Sequence, residues 1–171
     1  MAIRELRYLG DPVLRESAAP VDTFDDELRR LVDDMFQTMV YEEGAGLAAP
    51  QIGISRQVLV VDVSAGGEEG RVALINPRIV ESSDETEKEP EGCLSIPGVT
   101  EVVRRPARVR LEGFDPEGEP IEVEAEGLFA RALQHEVDHL EGVLFIDHLS
   151  ALKRRMLLKK YRKLQAEEAP G

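Results

Sequence analysis

Residues 108–140 read RVRLEGFDPEGEPIEVEAEGLFARALQHEVDHL, and the order of patterns within them decides the fold class. Arg108 to Glu112 alternates charged and apolar residues. Asp115-Pro116-Glu117-Gly118 supplies turn chemistry, and Ile121, Val123 and Ala125 then alternate with Glu122, Glu124 and Glu126. Period-two alternation on both sides of a tight turn predicts an antiparallel hairpin with one face in water. From about Leu128 to Leu140 the period becomes helical, and Gly142 is placed as a C-cap. Upstream, Leu28, Leu31, Val32, Met35, Phe36 and Met39 recur at helical spacing and predict a first helix from near Phe24 to Val40. Thr23 or Asp22 is placed to cap it, and Asp25, Asp26 and Glu27 suit the positive end of its dipole. Gly44 and Gly46 are expected to end it.

Between the first helix and the hairpin, Gln57–Val63 and Val72–Asn76 are rich in β-branched residues and read as strands joined by a turn at Gly66-Gly67. Residues 81–90 (ESSDETEKEP) read as a solvated acidic loop. A last helix is expected over Ser150–Gln165. Strands in the middle with helices before and after them, and no βαβ alternation, predict an α+β fold with antiparallel pairing.

The chain has 171 residues, 42% hydrophobic and 32% charged, which suits one domain with its own core. We expect that domain to span residues 1–166, with a loose tail over 167–171. No run approaches the roughly 18 apolar residues of a membrane helix, and Met1 to Leu6 lead into no apolar signal region, so a cytoplasmic protein is expected. Twenty-one basic against 34 acidic residues give a net charge of −13, which argues against DNA as a partner. Charge is nonetheless segregated: Lys153–Lys163 (KRRMLLKKYRK) holds seven basic residues and no acidic one. The single Cys93 excludes an intramolecular disulfide and fits a reducing compartment.

Two of the three histidines are His135 and His139, with Glu136 between them, in the segment read as helix. Residues four apart lie about 40° apart around a helix and one turn along it, so both imidazoles can reach one metal ion. Glu136 is near enough to touch water at that ion without ligating it. This is the H-E-x-x-H arrangement. The third histidine of metzincins would fall at Phe145, so that reading fails. Glu167 and Glu168 leave a downstream glutamate ligand open, although they lie in the polar tail, and His148 reads as a surface histidine. Cys93 is the remaining candidate, with a small buried hydrophobe as its plainer role.

Cys93 lies in EGCLS (Glu91–Ser95), and GLAAPQ (Gly46–Gln51) lies upstream. Together with QHEVDH (Gln134–His139), these strings resemble the three signature motifs of the peptide deformylase family, in the family's chain order. GDPVLR (Gly10–Arg15) resembles its N-terminal region, and the resemblance spans about residues 3–150. It implies antiparallel sheets packed around a central metal-binding helix, with an N-terminal and a C-terminal helix. It also implies Cys93, His135 and His139 as ligands of one divalent metal. That metal would be Fe2+, with Zn2+, Ni2+ or Co2+ able to substitute. Glu136 would be the acid/base, and the Gln51 amide and the Leu94 backbone N–H would face the developing oxyanion. Gly44, Ala45 and Gly46, with Gly92 and Leu94 opposite, would line the groove for the formylated peptide, and Leu128 would help form the methionine pocket. Arg131 falls near that pocket with no assigned role.

The implied reaction removes the formyl group from the N-terminal formyl-methionine of nascent polypeptides. The resemblance also suggests ribosome docking through the basic C-terminal helix, although Lys153 and Lys160 share a side with Leu149 and Met156. A monomer is expected, with no membrane partner. The competing readings are a small H-E-x-x-H metallopeptidase and a non-catalytic metal-binding or ribosome-binding module.

Overall fold

Asp25, rather than Asp22 or Thr23, caps the first helix: its side chain accepts from the Leu28 N–H at 3.0 Å, and α1 spans Asp26–Tyr41. The helix starts two residues later than expected, while Phe24 packs on Phe114 with ring centroids 5.9 Å apart. Glycine does not end α1 either. Glu43 takes the left-handed conformation at φ +60°, and Gly44 N–H reaches back to Met39 O at 2.9 Å. The computed structural model describes residues 2–64 and 70–168, so the expected Gly66-Gly67 turn and residues 169–171 lie outside the described residues.

After α1 come β1 (Gly46–Ala48), β2 (Val58–Asp62), β3 (Arg71–Ser82), β4 (Thr86–Cys93), β5 (Ile96–Pro106), β6 (Arg108–Phe114), β7 (Pro120–Glu126), α2 (Gly127–Leu140) and α3 (Ala151–Glu168). One antiparallel sheet has the order β1-β2-β3-β6-β7, and β4 and β5 form a separate antiparallel ribbon. The hairpin and the helix that follows it stand where the sequence puts them. The fold is α+β, as expected.

Residues 81–90 are not a loop. β3 runs on to Ser82 and β4 begins at Thr86, with Glu87 opposite Arg105 and Lys88 opposite Arg104 in the ribbon. The outer end of β4 is exposed on both faces, so no apolar alternation marks it, and its backbone pairing with β5 holds it. Similarly, α3 continues to Glu168, three residues past the expected end, and takes Glu167 and Glu168 into the helix.

β2 is the pivot of the core because both its faces are buried. Val58 and Val60 pack with Leu28, Leu31 and Met35 of α1 on one side. Leu59 and Val61 pack with Ala130, Leu133 and Val137 of α2 on the other. A third cluster joins Ile96, Val99 and Val103 of β5 to Phe145, Ile146, Leu157 and Tyr161, seating the turn Phe145–His148 and α3 against the ribbon. α2 therefore lies between the large sheet and the ribbon, and its second half is buried almost all round.

Candidate metal centre and catalytic cleft

The three motifs fold as three local structures that meet around the middle of α2. GLAAPQ forms β1 and enters the short turn Ala49–Ile52. EGCLS ends β4 and turns into β5, while QHEVDH lies within α2. Cys93, His135 and His139 offer ligand atoms that all lie within 4.8 Å of one another. Cys93 Sγ is 3.4 Å from His139 Nε2, which is 3.2 Å from His135 Nε2.

That geometry asks for a cation. Two imidazole nitrogens and a sulfur converge with no acceptor among them that could satisfy all three, and one thiolate with two imidazoles is a good donor set for a first-row dication. His139 is held well below its ordinary pKa by burial and by its neighbour His135, which keeps it neutral. Burial opposes charge on His135 too, but Glu136, Cys93 and Glu91 together raise its pKa well above the ordinary value. Glu136 Oε1 is buried with no hydrogen-bond partner among the described residues, and burial pushes this carboxyl up to about 7. A bound dication acts in the opposite direction and favours the carboxylate.

Glu91, which the sequence reading quoted only as a motif letter, organises the surroundings. Its Oε1 lies 2.9 Å from His135 Nδ1, so the Nδ1–H is directed at the carboxylate and the Nε2 lone pair is left facing Cys93 and His139. Burial alone would raise the pKa of Glu91, but Arg105 and His135 hold it well below the usual carboxylate range. Arg105 donates through Nε at 2.5 Å and Nη2 at 2.8 Å, and Arg131 through Nη1 at 2.6 Å. Arg131 also donates to Val103 O at 3.0 Å and Glu87 O at 2.9 Å, which ties α2 to both strands of the ribbon. Its position thus becomes legible as an anchor beneath the cleft.

Gln51 is fully oriented. Its Oε1 accepts from Ala48 N–H at 2.9 Å, so its Nε2 must point the other way, toward Ser95 Oγ at 3.2 Å and Cys93 Sγ at 3.6 Å. Ser95 N–H also points at Cys93 Sγ at 3.4 Å, so two N–H donors face the sulfur. A cleft of about 560 Å³ opens above these groups. Cys93, His135, Glu136 and Gln51 line it, together with Gly44, Ala45, Gly46, Gly92 and Leu94. Leu128, 57% exposed, stands at the rim, whereas His139 is buried behind the cleft at 1%.

Close approach explains the glycines here. A Cβ on Gly44 would lie 2.7 Å from Leu94 Cδ1, and one on Gly46 would lie 2.7 Å from Glu136 Oε2. His148 is at the surface as expected, yet it is not free: its Nε2 is 2.8 Å from Asp138 Oδ2.

Residues 3–155 match the family model described as polypeptide deformylase. The peptide deformylase of Brucella suis biovar 1 is 49% identical over 170 residues, covering 99% of this chain and 97% of that protein. The peptide deformylase of Phenylobacterium zucineum is 51% identical over 164 residues, with 95% and 97% covered. The crystal structure of a peptide deformylase from Legionella pneumophila superposes with a TM-score of 0.88 at 46% identity, covering 99% of this chain and all of that one. Another, from Synechococcus elongatus in complex with actinonin, gives 0.87 at 45% identity, with 92% and 86% covered. With such matches over nearly its whole length, and with the three motifs meeting at one thiolate-imidazole cluster, the chain belongs to the peptide deformylase family.

Proposed function

We propose that Cys93, His135 and His139 hold one divalent metal ion, and that Glu136 and Gln51 carry out the deformylase reaction beside it. As a peptide deformylase, the chain is a metal-dependent hydrolase that takes the formyl group from the N-terminal formyl-methionine of newly synthesised polypeptides and releases formate. The observation that carries the residue assignment is the convergence of Cys93 Sγ with two imidazoles, next to a buried carboxylate oxygen that has no partner.

A divalent ion bound there supplies Lewis acidity, which makes hydroxide available near neutral pH and polarises the formyl carbonyl. Glu136 takes the proton from the attacking water and returns it to the leaving nitrogen, so that the amine departs neutral. The Gln51 Nε2–H and the Leu94 backbone N–H donate to the oxygen on which charge develops. Gln51 is aimed before the substrate arrives, because Ala48 fixes the other end of its amide. The family resemblance supports Fe2+ as the physiological ion, with Zn2+, Ni2+ or Co2+ as substitutes. Gly44, Ala45 and Gly46 line the groove opposite Gly92 and Leu94, where the missing side chains let an extended peptide approach the backbone. Leu128 contributes to the apolar pocket for the methionine side chain.

Loss of one oxyanion donor typically costs on the order of 10²–10³ in rate. Gln51→Ala is therefore expected to lower kcat by that factor, with KM little changed, when formate release from a short N-formyl-methionyl peptide is followed. In the parent, anaerobically purified and loaded with Fe2+, formate release without cleavage inside the peptide supports the assignment. Internal cleavage without formate, retained in Cys93→Ser, would favour the H-E-x-x-H metallopeptidase instead.

The protein is proposed to act in the cytoplasm as a monomer, meeting its substrates at the ribosome through α3. Lys153, Arg155, Lys159, Lys160, Arg162 and Lys163 are exposed on that helix, on a chain whose net charge is −13. Exposed Leu152 and Met156 interrupt the basic surface. Replacing Lys159, Lys160, Arg162 and Lys163 by Glu should abolish cosedimentation with ribosomes and leave turnover of a short peptide unchanged. Unaltered cosedimentation would remove α3 as the docking element.

A further inference from the structure

Five side chains form one hydrogen-bonded line from the metal ligands to the surface. His135 Nδ1 is bonded to Glu91 Oε1 at 2.9 Å, and Glu91 takes the Nε and Nη2 edge of the Arg105 guanidinium. The remaining nitrogen of that fork, Nη1, donates to Asp138 Oδ2 at 3.0 Å, and the same oxygen is 2.8 Å from His148 Nε2. Arg105 is 4% exposed, whereas the side chains of Asp138 and His148 are 20% and 37% exposed. The line therefore begins in the core and ends in water.

His148 closes the short turn Phe145–His148, whose first residue stacks on His135 with ring centroids 6.3 Å apart and planes 26° apart. One four-residue turn thus holds α2 twice, once on a ligand ring and once on the residue before the other ligand. The turn is itself fixed: Asp147 accepts from the Leu144 N–H at 3.0 Å and from Arg15 Nη1 at 2.6 Å.

We propose that His148 is a positioning residue for the metal centre, acting through Asp138, Arg105 and Glu91 on the orientation of His135. A guanidinium is planar, so fixing both of its edges fixes its plane, and with it the carboxylate that it grips. Asp138 is the partly hydrated link in the line. With His148 in place its carboxylate is held toward Arg105; without it, water competes for Oδ2 and the Arg105 plane gains freedom. This inference rests on the metal-centre reading above. The plainer role is an exposed hydrogen bond of negligible weight.

The test uses Co2+ as the probe. The folded protein and its variants are loaded with Co2+, and the visible absorption and the rate of release to excess chelator are recorded. Partners bonded directly to a ligating histidine typically change metal affinity about 10–100-fold on mutation. More remote links should do less: about tenfold faster release in Asp138→Asn and about threefold in His148→Ala. His148→Gln, which keeps an N–H donor, should restore the parent rate and spectrum. In the double variant, His148→Ala should add nothing to Asp138→Asn, because the carboxylate that His148 holds toward Arg105 is already gone.

Unchanged release and spectrum in His148→Ala, multiplying effects in the double variant, or His148→Gln behaving like His148→Ala would each overturn the proposal. A parent that takes up no Co2+ would overturn the metal-centre reading and this inference with it. A parent that takes up Co2+ and releases it as fast as His148→Ala would overturn this inference alone.

Discussion

Glu136→Ala is expected to lower turnover of a formyl-methionyl peptide about 10²–10⁴-fold, the usual contribution of a positioned general acid-base, while one metal ion per chain is retained. Retention follows from the proposed site, because the three candidate ligand atoms belong to Cys93, His135 and His139 and none to Glu136. Stability should separate from activity here. Glu136 is 4% exposed and its Oε1 has no partner among the described residues, so the fold holds a buried carboxyl with an unpaired oxygen. Glu136→Gln preserves the shape and removes the charge, so it should unfold at the same or a higher denaturant concentration than the parent while losing turnover as Glu136→Ala does.

Gly46 gives a second route to the same result. A methyl there would lie 2.7 Å from Glu136 Oε2, 3.0 Å from Cγ and 3.1 Å from Cδ, and the buried carboxylate can yield only by leaving its seat. Misplacing a catalytic group by about 1 Å can cost about 10²-fold, and Gly46→Ala should lose on that order with its metal content intact. Full turnover in Gly46→Ala would show that this seat is not where the carboxylate works.

How much of this was legible in the sequence depended on whether a residue's role shows in its spacing. His135, Glu136 and His139 share one helix, so a fixed 3.6-residue period brings them together and their joint chemistry can be read directly. Cys93 and Gln51 come from other segments, and only the motifs around them linked them to the helix. The sheet was read where at least one face is apolar, as in β2 on both faces and in β6 and β7 on one. It was missed in β4, whose outer residues are exposed on both faces, and in β5, where Pro97, Gly98 and two arginines break the alternation. The glycines at 44 and 46 were assigned to ending α1 and, by resemblance, to the peptide groove; a sequence shows what a glycine permits and not which side chain lies against it.

Glu91 was hidden for a related reason. It is the last of the acidic residues along β4, and only tertiary structure separates it from its solvated neighbours: it is 6% exposed, between two arginines and a histidine. Two guanidiniums and an imidazole converge on a buried carboxylate, and this arrangement sets the second large expectation. Glu91→Ala should destabilise the metal-free protein by about 3–5 kcal/mol, because it leaves the guanidiniums of Arg105 and Arg131 buried with no anion between them. That is a large part of the roughly 5–15 kcal/mol that holds a domain folded.

The metal site should respond separately. Without the carboxylate, His135 Nδ1 has no acceptor fixing its ring, and metal affinity should fall about 10–100-fold. The two effects can be divided by removing the charges together. In a triple variant, Glu91→Met, Arg105→Leu and Arg131→Met, no buried charge is stranded, and much of the lost stability should return, because replacing a complete buried ion cluster with apolar residues is often neutral. Metal affinity should not return, since nothing apolar can hold the imidazole by its N–H. Urea unfolding of the metal-free proteins and competition for Zn2+ against a chromophoric chelator measure the two quantities. If the triple variant regained both, Glu91 would be a feature of folding alone; if Glu91→Ala lost neither, the buried network would carry no weight in the fold or at the metal site.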